Sequence, residues 1–277
     1  MANKPAVGIQ LYTVREQLDK DFVGTLETVK KIGYEGVEFA GNYGGLAARD
    51  VLKLCDEIGL KILSTHTGFD AFTNDFDGAV NYLADLGVSY SAIPWMPADK
   101  CPGTEGFAEM KELFIRMQAA LEKKGIRLLY HNHDFEFFAH PEGGYSYDRL
   151  FTEVPGLWPE FDVCWLTYAG TDPVEYINKY SDKIAVVHLK DFVGGKGSTP
   201  AYALIDADGN EIKPEADAEV SAFEFRPVGH GVVKMKEVVE TAIAHGAKCF
   251  IVEQDDCYGD CFCCAEKSYA YLKSLGL

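Results

Sequence analysis

The chain has 277 residues, of which 47% are hydrophobic and 25% charged, so it contains enough apolar residues for a full core. Its formal net charge of −17, from 43 acidic and 26 basic residues, argues against nucleic acid or an anionic membrane as a partner, because such binders carry a basic face. The stretch MANKPAVGIQ lacks the apolar centre of a signal peptide and no run approaches ~18 apolar residues, so we expect a cytoplasmic protein with free thiols.

One pattern repeats along the chain: an amphipathic segment ends at a glycine, and an apolar run follows. The pattern appears before GVEF, KILSTH, VSYSAI, IRLLYHN and AKCFIVEQD, and the further apolar runs AVGIQLY, PEFDV and KIAVVHLKD bring the total to eight. Nearly continuous apolar runs are typical of parallel strands buried on both faces. Eight such units predict an α/β protein, a single (β/α)8 TIM barrel over residues 1–277. An open doubly wound sheet is the alternative, but no glycine-rich nucleotide fingerprint follows the first strand.

One segment interrupts this pattern after the seventh predicted strand. Residues 192–229 are rich in Gly, Pro, Asp and Glu and are too long for a simple turn between a strand and a helix. Within them, IDADGNEI predicts a hairpin through Asp208 and Gly209. We expect this insertion to close over the barrel mouth or to contribute to a subunit interface of a homo-oligomer.

Polar residues follow the predicted strands where those strands end. Since barrel chemistry takes place at the carboxyl ends of the strands, Glu136, Asp162, His188 and Glu253 are expected to meet at one mouth. Three carboxylates and an imidazole suit Mn²⁺, with Mg²⁺, Co²⁺ or Zn²⁺ as alternatives. A cation also explains how several acids share one pocket, because bare carboxylates repel each other. Taken singly, Asp162 could instead cap a loop and His188 could be a satisfied core histidine.

Five motifs resemble the xylose-isomerase-like barrel superfamily, which includes sugar phosphate isomerases and epimerases, inosose dehydratase and endonuclease IV. They are YHNHDFEF, DVCWLTYAGTDP, VVHLKD, VGHG and VEQD, and the likeness runs from GIQLYTVR to SYAYLKSLG. The resemblance implies metal ligands Glu, Asp, His and Glu from strands five to eight. Asp162, His188 and Glu253 match that order, and the strand-five ligand is expected to be Glu136, with His133 as its rival.

The resemblance also implies a sugar isomerase or epimerase that forms an enediolate on a ketose. A lyase sharing that intermediate, of the dehydratase or keto-glycoside-cleaving kind, is the alternative, and a non-catalytic sugar-binding barrel is another. The acidic charge opposes the basic groove that a DNA-repair function would need. The predicted catalytic residues are Glu253, Glu136 and His133. The predicted substrate-binding residues are His66, Trp95, His131, Lys190, Asp191 and His230.

The cysteine-rich stretch DDCYGDCFCCAEKS raises a separate question of thiolate metal binding. Structural zinc sites use paired knuckles with two residues between the cysteines, and Cys257, Cys261, Cys263 and Cys264 form no such pair. We therefore interpret these residues as free thiols.

Overall fold

The computed structural model describes residues 4–195, 204–205, 211–212 and 223–277. Within these ranges the strands are β1 (Ala6–Gln10), β2 (Gly36–Ala40), β3 (Lys61–His66), β4 (Tyr90–Ile93), β5 (Arg127–His131), β6 (Trp158–Asp162), β7 (Val186–Leu189), β8 (Asp191–Val193), β9 (Leu204–Ile205), β10 (Glu211–Ile212), β11 (Glu224–Arg226) and β12 (Cys249–Val252). Eight of them form a closed parallel barrel in the order β1-β12-β7-β6-β5-β4-β3-β2. The predicted (β/α)8 barrel is confirmed.

Helices connect the barrel strands and cover them. They are α1 (Arg15–Lys20), α2 (Phe22–Ile32), α3 (Ala48–Ile58), α4 (Phe69–Asn74), α5 (Phe76–Leu86), α6 (Phe107–Glu122), α7 (Ser146–Glu153), α8 (Val163–Tyr168), α9 (Pro173–Lys179), α10 (Met235–Ala244) and α11 (Cys261–Ser274). Short 3₁₀ turns span Leu11–Val14, Ala98–Lys100 and Phe135–Phe137. None of the helices in the described ranges is long and apolar enough to cross a membrane.

The helix ends follow from local chemistry. Asp21 and Asp75 begin α2 and α5, each accepting a hydrogen bond from a backbone N–H three residues later. Such a side chain satisfies one of the N–H groups that have no partner within the helix. Gly59 and Gly87 end α3 and α5 with φ of 82° and 77°, the left-handed conformation expected from the repeated glycine pattern.

The barrel interior changes from apolar to polar along its axis. Alternate residues of a strand face the same side, so Leu129 lies below His131, Val186 below His188 and Ile251 below Glu253. The lower residues belong to a buried apolar cluster that also contains Ala92 and Cys249. The amino-terminal half of the interior is therefore packed with hydrocarbon, and the functional groups lie above it.

The insertion begins and ends in a short antiparallel ladder. Strand β8 pairs with β11, and Asp191 accepts hydrogen bonds from the backbone N–H groups of Gly229, Gly231 and Val233. Strands β9 and β10 also pair antiparallel, as the hairpin prediction requires. The turn at Asp208 and Gly209 lies outside the described residues, as does most of the segment expected to close the mouth or join subunits.

Candidate functional site

Polar side chains from four strands converge at the carboxyl end of the barrel. One donor atom from each of four buried residues lies within 4.8 Å of the others: His131 on β5, Asp162 on β6, His188 on β7 and Glu253 just after β12. We call these four residues the mouth group. The structure thus brings together three of the four predicted ligands, because parallel strands place their carboxyl ends at one rim.

A second set of donors lies beside the first and deeper in the barrel. It consists of His66 on β3, His131, Glu160 on β6 and His188, again with one donor atom each within 4.8 Å of the others. We call it the inner group. Glu160 precedes Asp162 by two residues and faces the same side of β6, one layer below the mouth.

Glu38 on β2 connects the histidines of the inner group. Its Oε1 lies 2.7 Å from His188 Nε2 and 3.1 Å from His66 Nε2, and it accepts a 2.7 Å hydrogen bond from Gln10 Nε2. Glu160 Oε2 lies 2.7 Å from the same nitrogen of His66. Burial by itself lowers the pKa of His66, but Glu38 and Glu160 outweigh burial and raise the pKa to about 10. His66 therefore balances part of the acidic charge.

The outer side of the mouth group contacts a buried lysine. Lys190 Nζ lies 2.9 Å from Glu253 Oε2, 3.3 Å from Asp162 Oδ2 and 3.0 Å from Asp255 Oδ1. Burial alone lowers the pKa of Lys190, but the charges of Asp255, Glu253 and Asp162 raise it well above the ordinary value. Lys190 is thus an ammonium ion, which makes it unsuited to Schiff-base chemistry at neutral pH.

The family described as xylose isomerase-like TIM barrel matches residues 26–269. The chain belongs to this family. The resemblance found in the sequence motifs is therefore confirmed over most of the chain.

Three proteins similar to this chain have between 14% and 25% of their matched residues identical to it. It is 25% identical over 177 residues to an inosose dehydratase of Geobacillus kaustophilus, a match covering 58% of this chain and 52% of that protein. The chain thus matches about half the length of that curated relative. A sugar phosphate isomerase/epimerase from Parabacteroides distasonis has a TM-score of 0.71 at 24% identity, covering 99% and 95% of the two chains. A probable 3-DHS dehydratase from Bacillus anthracis has a TM-score of 0.70 at 14% identity, covering 97% and 98%. These two structures share the fold.

Strand β5 supplies a different residue from the one predicted. The resemblance to the xylose isomerase-like family favours Glu136 as the ligand, but His131 is the β5 residue in the mouth group. Glu136 lies in the following turn, where its two oxygens accept hydrogen bonds from Tyr130 Oη at 2.7 Å and the His133 N–H at 2.8 Å. Burial outweighs these bonds and raises the pKa of Glu136 to about 8. The structure does not bring this carboxyl group into either donor group.

The chemistry of the site fits a divalent ion of the kind this family implies. Among the described residues, Glu38 Oε2, Glu160 Oε1 and Asp162 Oδ2 are buried oxygens that accept no hydrogen bond. A buried acceptor without a hydrogen bond is unusual and costly, and coordination to a cation removes that cost. His131 offers a suitable lone pair, because burial and the adjacent His188 hold its pKa well below the ordinary value and keep it neutral.

The remaining predicted site residues are spread around the rim. The His133 ring is half-buried, 5.3 Å from the His131 ring and 5.8 Å from the Trp165 ring. Trp95, in the loop after β4, is 40% exposed. Asp191 binds the backbone of the 229–233 loop, and the exposed His230 has its ring 6.5 Å from that of Tyr271 on α11. The structure thus places Asp191 at the start of β8, where it holds the 229–233 loop, and places His230 within that loop.

Sequence reasoning assigned no role to Glu160 or Glu38, although both lie in the donor network. The two-residue period within PEFDV would have revealed Glu160, since it shares a strand face with Asp162. Nothing in the sequence pattern indicates that Glu38 on β2 and Glu160 on β6 face each other across the barrel interior. All eight cysteines, each within the described part of the chain, are unbridged, and none of them joins either donor group.

Proposed function

We propose that this chain is a divalent-metal-dependent isomerase or epimerase of a ketose or related keto-sugar. The mouth group supports this proposal, since two carboxylates and two imidazoles meet at the end of the barrel where such folds carry out their chemistry. Asp162, His188 and Glu253 would hold the ion, with His131 as a fourth ligand. Mn²⁺ is the expected ion, with Mg²⁺, Co²⁺ or Zn²⁺ as alternatives, because this donor set mixes oxygen and nitrogen.

Glu253 is the proposed base. A divalent ion held by the mouth group would supply Lewis-acid stabilisation of negative charge on adjacent substrate oxygens. The contacts of Glu253 with His188 Nδ1 and Lys190 Nζ both go to Oε2, which leaves Oε1 to take a proton from the carbon beside the carbonyl. Burial alone would raise the pKa of Glu253, but Lys190 and His188 lower it well below the ordinary value. Glu253 is therefore ionised at neutral pH, as a base must be.

The product depends on where the proton returns. Return to the neighbouring carbon gives an isomer, and return to the opposite face of the same carbon gives an epimer. Epimerisation needs a group on that second face, and His133 is our candidate. Burial together with Lys190 lowers the pKa of His133 to about 3, so its imidazole is neutral. It would return the proton as a relay, with one ring nitrogen giving its N–H proton to the carbon while the other nitrogen takes a proton from solvent. Trp95 is proposed to pack against the apolar face of the sugar, as exposed aromatic rings commonly do.

Deuterium exchange tests this proposal directly. The Mn²⁺-loaded protein is incubated with a panel of ketoses, inososes and 3-keto-glycosides in D₂O, and the recovered sugars are examined by NMR and mass spectrometry. We expect deuterium at the carbon next to the carbonyl for at least one sugar, and its loss in Glu253→Gln. Turnover with neither solvent exchange nor a primary isotope effect would contradict proton abstraction and would favour a hydride shift.

A lyase reaction is the second candidate, and the 25% identity to an inosose dehydratase favours it. The same first proton transfer leads to elimination when a hydroxyl or glycosyl group lies β to the carbanion. Glu253, carrying the proton that it has abstracted, would give this proton to the departing oxygen, which leaves as water or as a free alcohol. The ammonium of Lys190, 2.9 Å from Glu253, would donate a hydrogen bond to the same oxygen. The sugar panel separates the two reactions, because elimination changes the product mass and isomerisation does not.

A further inference from the structure

Half of the cysteines lie in one short segment between β12 and α11. Four of the eight are buried in other parts of the fold: Cys55, Cys101, Cys164 and Cys249. The other four lie within residues 257–264, which we call the thiol segment. All eight cysteines fall in the described ranges, and every cysteine that is not buried belongs to the thiol segment. This segment is therefore where the chain presents thiols to solvent.

Two side chains of the thiol segment contact each other. Cys257 lies in the loop before α11, and Cys264 lies in the first turn of that helix, where its N–H donates to the Asp260 carbonyl at 3.1 Å. The two side chains are half-buried and share a hydrogen bond. Burial and the adjacent Cys264 raise the pKa of the Cys257 thiol. Cys257 therefore keeps its proton beside a second sulfur that solvent can reach.

The thiol segment does not have the arrangement that a metal ion needs. Among the described residues, only the mouth group and the inner group bring three or more ligand atoms within 4.8 Å of one another. Within the segment, Cys261 is buried in the core and Cys263 is exposed. A structural zinc ion takes four ligands, whereas this segment offers two thiols in contact. A pair of thiols is suited to oxidation instead.

We propose that Cys257 and Cys264 form an oxidation site, at which hydrogen peroxide converts the two thiols into one intramolecular disulfide. Peroxide first reacts with the Cys264 thiolate: an S–O bond forms, the O–O bond breaks, and hydroxide leaves and takes up the proton that Cys264 released on ionising. The Cys257 thiol then attacks the sulfenic sulfur, the S–S bond forms, and the S–O bond breaks. The proton of Cys257 passes to the departing oxygen, which leaves as water. The two sulfurs lose two electrons in total, and peroxide gains them.

The loop between the two cysteines can accommodate this bond. A disulfide brings its sulfurs to about 2.0 Å, which is closer than a hydrogen-bonded pair of sulfurs. The intervening residues Tyr258, Gly259 and Asp260 are exposed, and a side chain at Gly259 would meet nothing within 4 Å. Because this part of the loop does not pack against the core, it can move by the small distance that bond formation requires.

The disulfide would act on the loop that also carries two residues of the candidate site. Glu253 of the mouth group and Asp255 both precede Cys257 in this loop, and the Asp255 carboxylate lies 3.0 Å from Lys190 Nζ. Joining Cys257 to α11 removes conformational freedom from the loop at its far end. We therefore expect amide hydrogen exchange at residues 255–260 to be slower in the oxidised chain than in the reduced chain.

Thiol counting and peptide mapping test the oxidation site. The reduced full-length chain is treated with hydrogen peroxide, denatured and titrated with a thiol reagent. We expect the count to fall by two from the eight thiols of the reduced chain, and dithiothreitol to restore it. Chymotrypsin cleaves after Tyr258 and Phe262, which both lie between the two cysteines. Mass spectrometry of this digest should therefore show one cross-linked pair of peptides that separates on reduction.

Cysteine variants identify the two partners. Cys257→Ser and Cys264→Ser each remove one sulfur of the pair, so neither variant should give the cross-linked peptides. Cys263→Ser is the matched control, because it removes an exposed thiol from the same turn of α11. This control should form the cross-link to the same extent as the wild-type chain.

The same measurements can overturn the proposal. A treated wild-type chain that keeps all eight thiols, or that loses thiols without forming a cross-link, would show that the pair does not form a disulfide. A cross-link that persists in Cys257→Ser or in Cys264→Ser, or that joins two chains through Cys263, would assign the oxidation to other thiols. If a variant fails to fold, the peptide map of the wild-type chain still decides. Thiol counts do not depend on turnover, so failure of the proposed sugar chemistry would remain distinguishable.

Discussion

Lys190 shows how one side chain can stabilise a site built from repelling acids. Its ammonium is within 3.3 Å of Asp162, Glu253 and Asp255, and its side chain is almost fully buried. Removing one partner of a buried ion pair leaves an uncompensated buried charge. Three carboxylates depend on this lysine for a balancing charge. Its loss should therefore lower the free energy of unfolding most when no metal ion is bound.

We expect Lys190→Met to lower the free energy of unfolding of the metal-free protein by about 3–5 kcal/mol. Lys190→Arg, which keeps the charge, should cost less. Added Mn²⁺ should stabilise Lys190→Met more than the wild-type chain, because the ion replaces part of the missing positive charge. Urea unfolding with and without Mn²⁺ measures both effects. Equal stability of wild type and Lys190→Met in chelator would show that the carboxylates are balanced by other groups.

Glu136 provides a prediction about pH. Its pKa is raised by burial to about 8 in the folded chain, above the ordinary value near 4.5. Between about pH 5 and pH 8 the folded state keeps a proton that the unfolded state has lost, so this group makes stability fall as pH rises. A shift of this size corresponds to roughly 4 kcal/mol across that window.

Glu136→Gln should remove that contribution. We expect the unfolding free energy of the variant to decline less than that of the wild type between pH 5 and pH 8. At pH 5 the variant should be less stable by about 1 kcal/mol, because an amide cannot satisfy both Tyr130 Oη and the His133 N–H. Urea unfolding at several pH values measures how the unfolding free energy of each protein changes with pH. If it changes equally in the wild type and the variant between pH 5 and pH 8, Glu136 does not titrate in that range.

Among the elements, the base of the insertion is held by one carboxylate. Asp191 begins β8 and accepts hydrogen bonds from four backbone N–H groups, those of Phe192, Gly229, Gly231 and Val233. The β8–β11 ladder and these bonds bring residues 223–233 back to the barrel rim. The sequence predicted Asp191 as a substrate contact, and the structure gives it the role of a loop anchor.

We expect Asp191→Ala to destabilise the chain by about 1–3 kcal/mol, since several buried N–H groups lose their acceptor. Amide hydrogen exchange should accelerate at residues 229–233 more than in the barrel strands. Asp182→Ala, at an exposed position, is the matched control and should change stability by less than about 0.5 kcal/mol. If exchange at 229–233 stays unchanged, the anchor role is wrong.

At the scale of the whole molecule, the barrel combines a hydrocarbon layer with a polar layer above it. The lower interior is closed by residues such as Leu129, Val186 and Ile251. That layer makes the buried charges above it dependent on one another, and under the proposed function it would make them dependent on the bound ion as well. Metal binding and folding should therefore be coupled in this protein.

Metal removal should lower the unfolding temperature of the whole chain. An ion present at 100 times its dissociation constant stabilises the folded state by about 2.7 kcal/mol. We expect thermal unfolding to shift upward by several degrees with Mn²⁺, and the shift to disappear with a chelator. Asp162→Asn should show a much smaller shift. A wild-type chain whose unfolding temperature does not respond to any divalent ion would contradict the metal centre.

The sequence by itself determined the repeating units, the barrel, and the meeting of Asp162, His188 and Glu253, because these depend on local periodicity and on parallel strands ending at one rim. Only the tertiary structure decided which β5 residue joins them. Glu136 turns back onto Tyr130 and the His133 backbone, a local loop geometry that spacing does not encode. The inner group also required the closed barrel, because its residues come from β3, β5, β6 and β7, and only closure of the sheet brings these positions together across the interior.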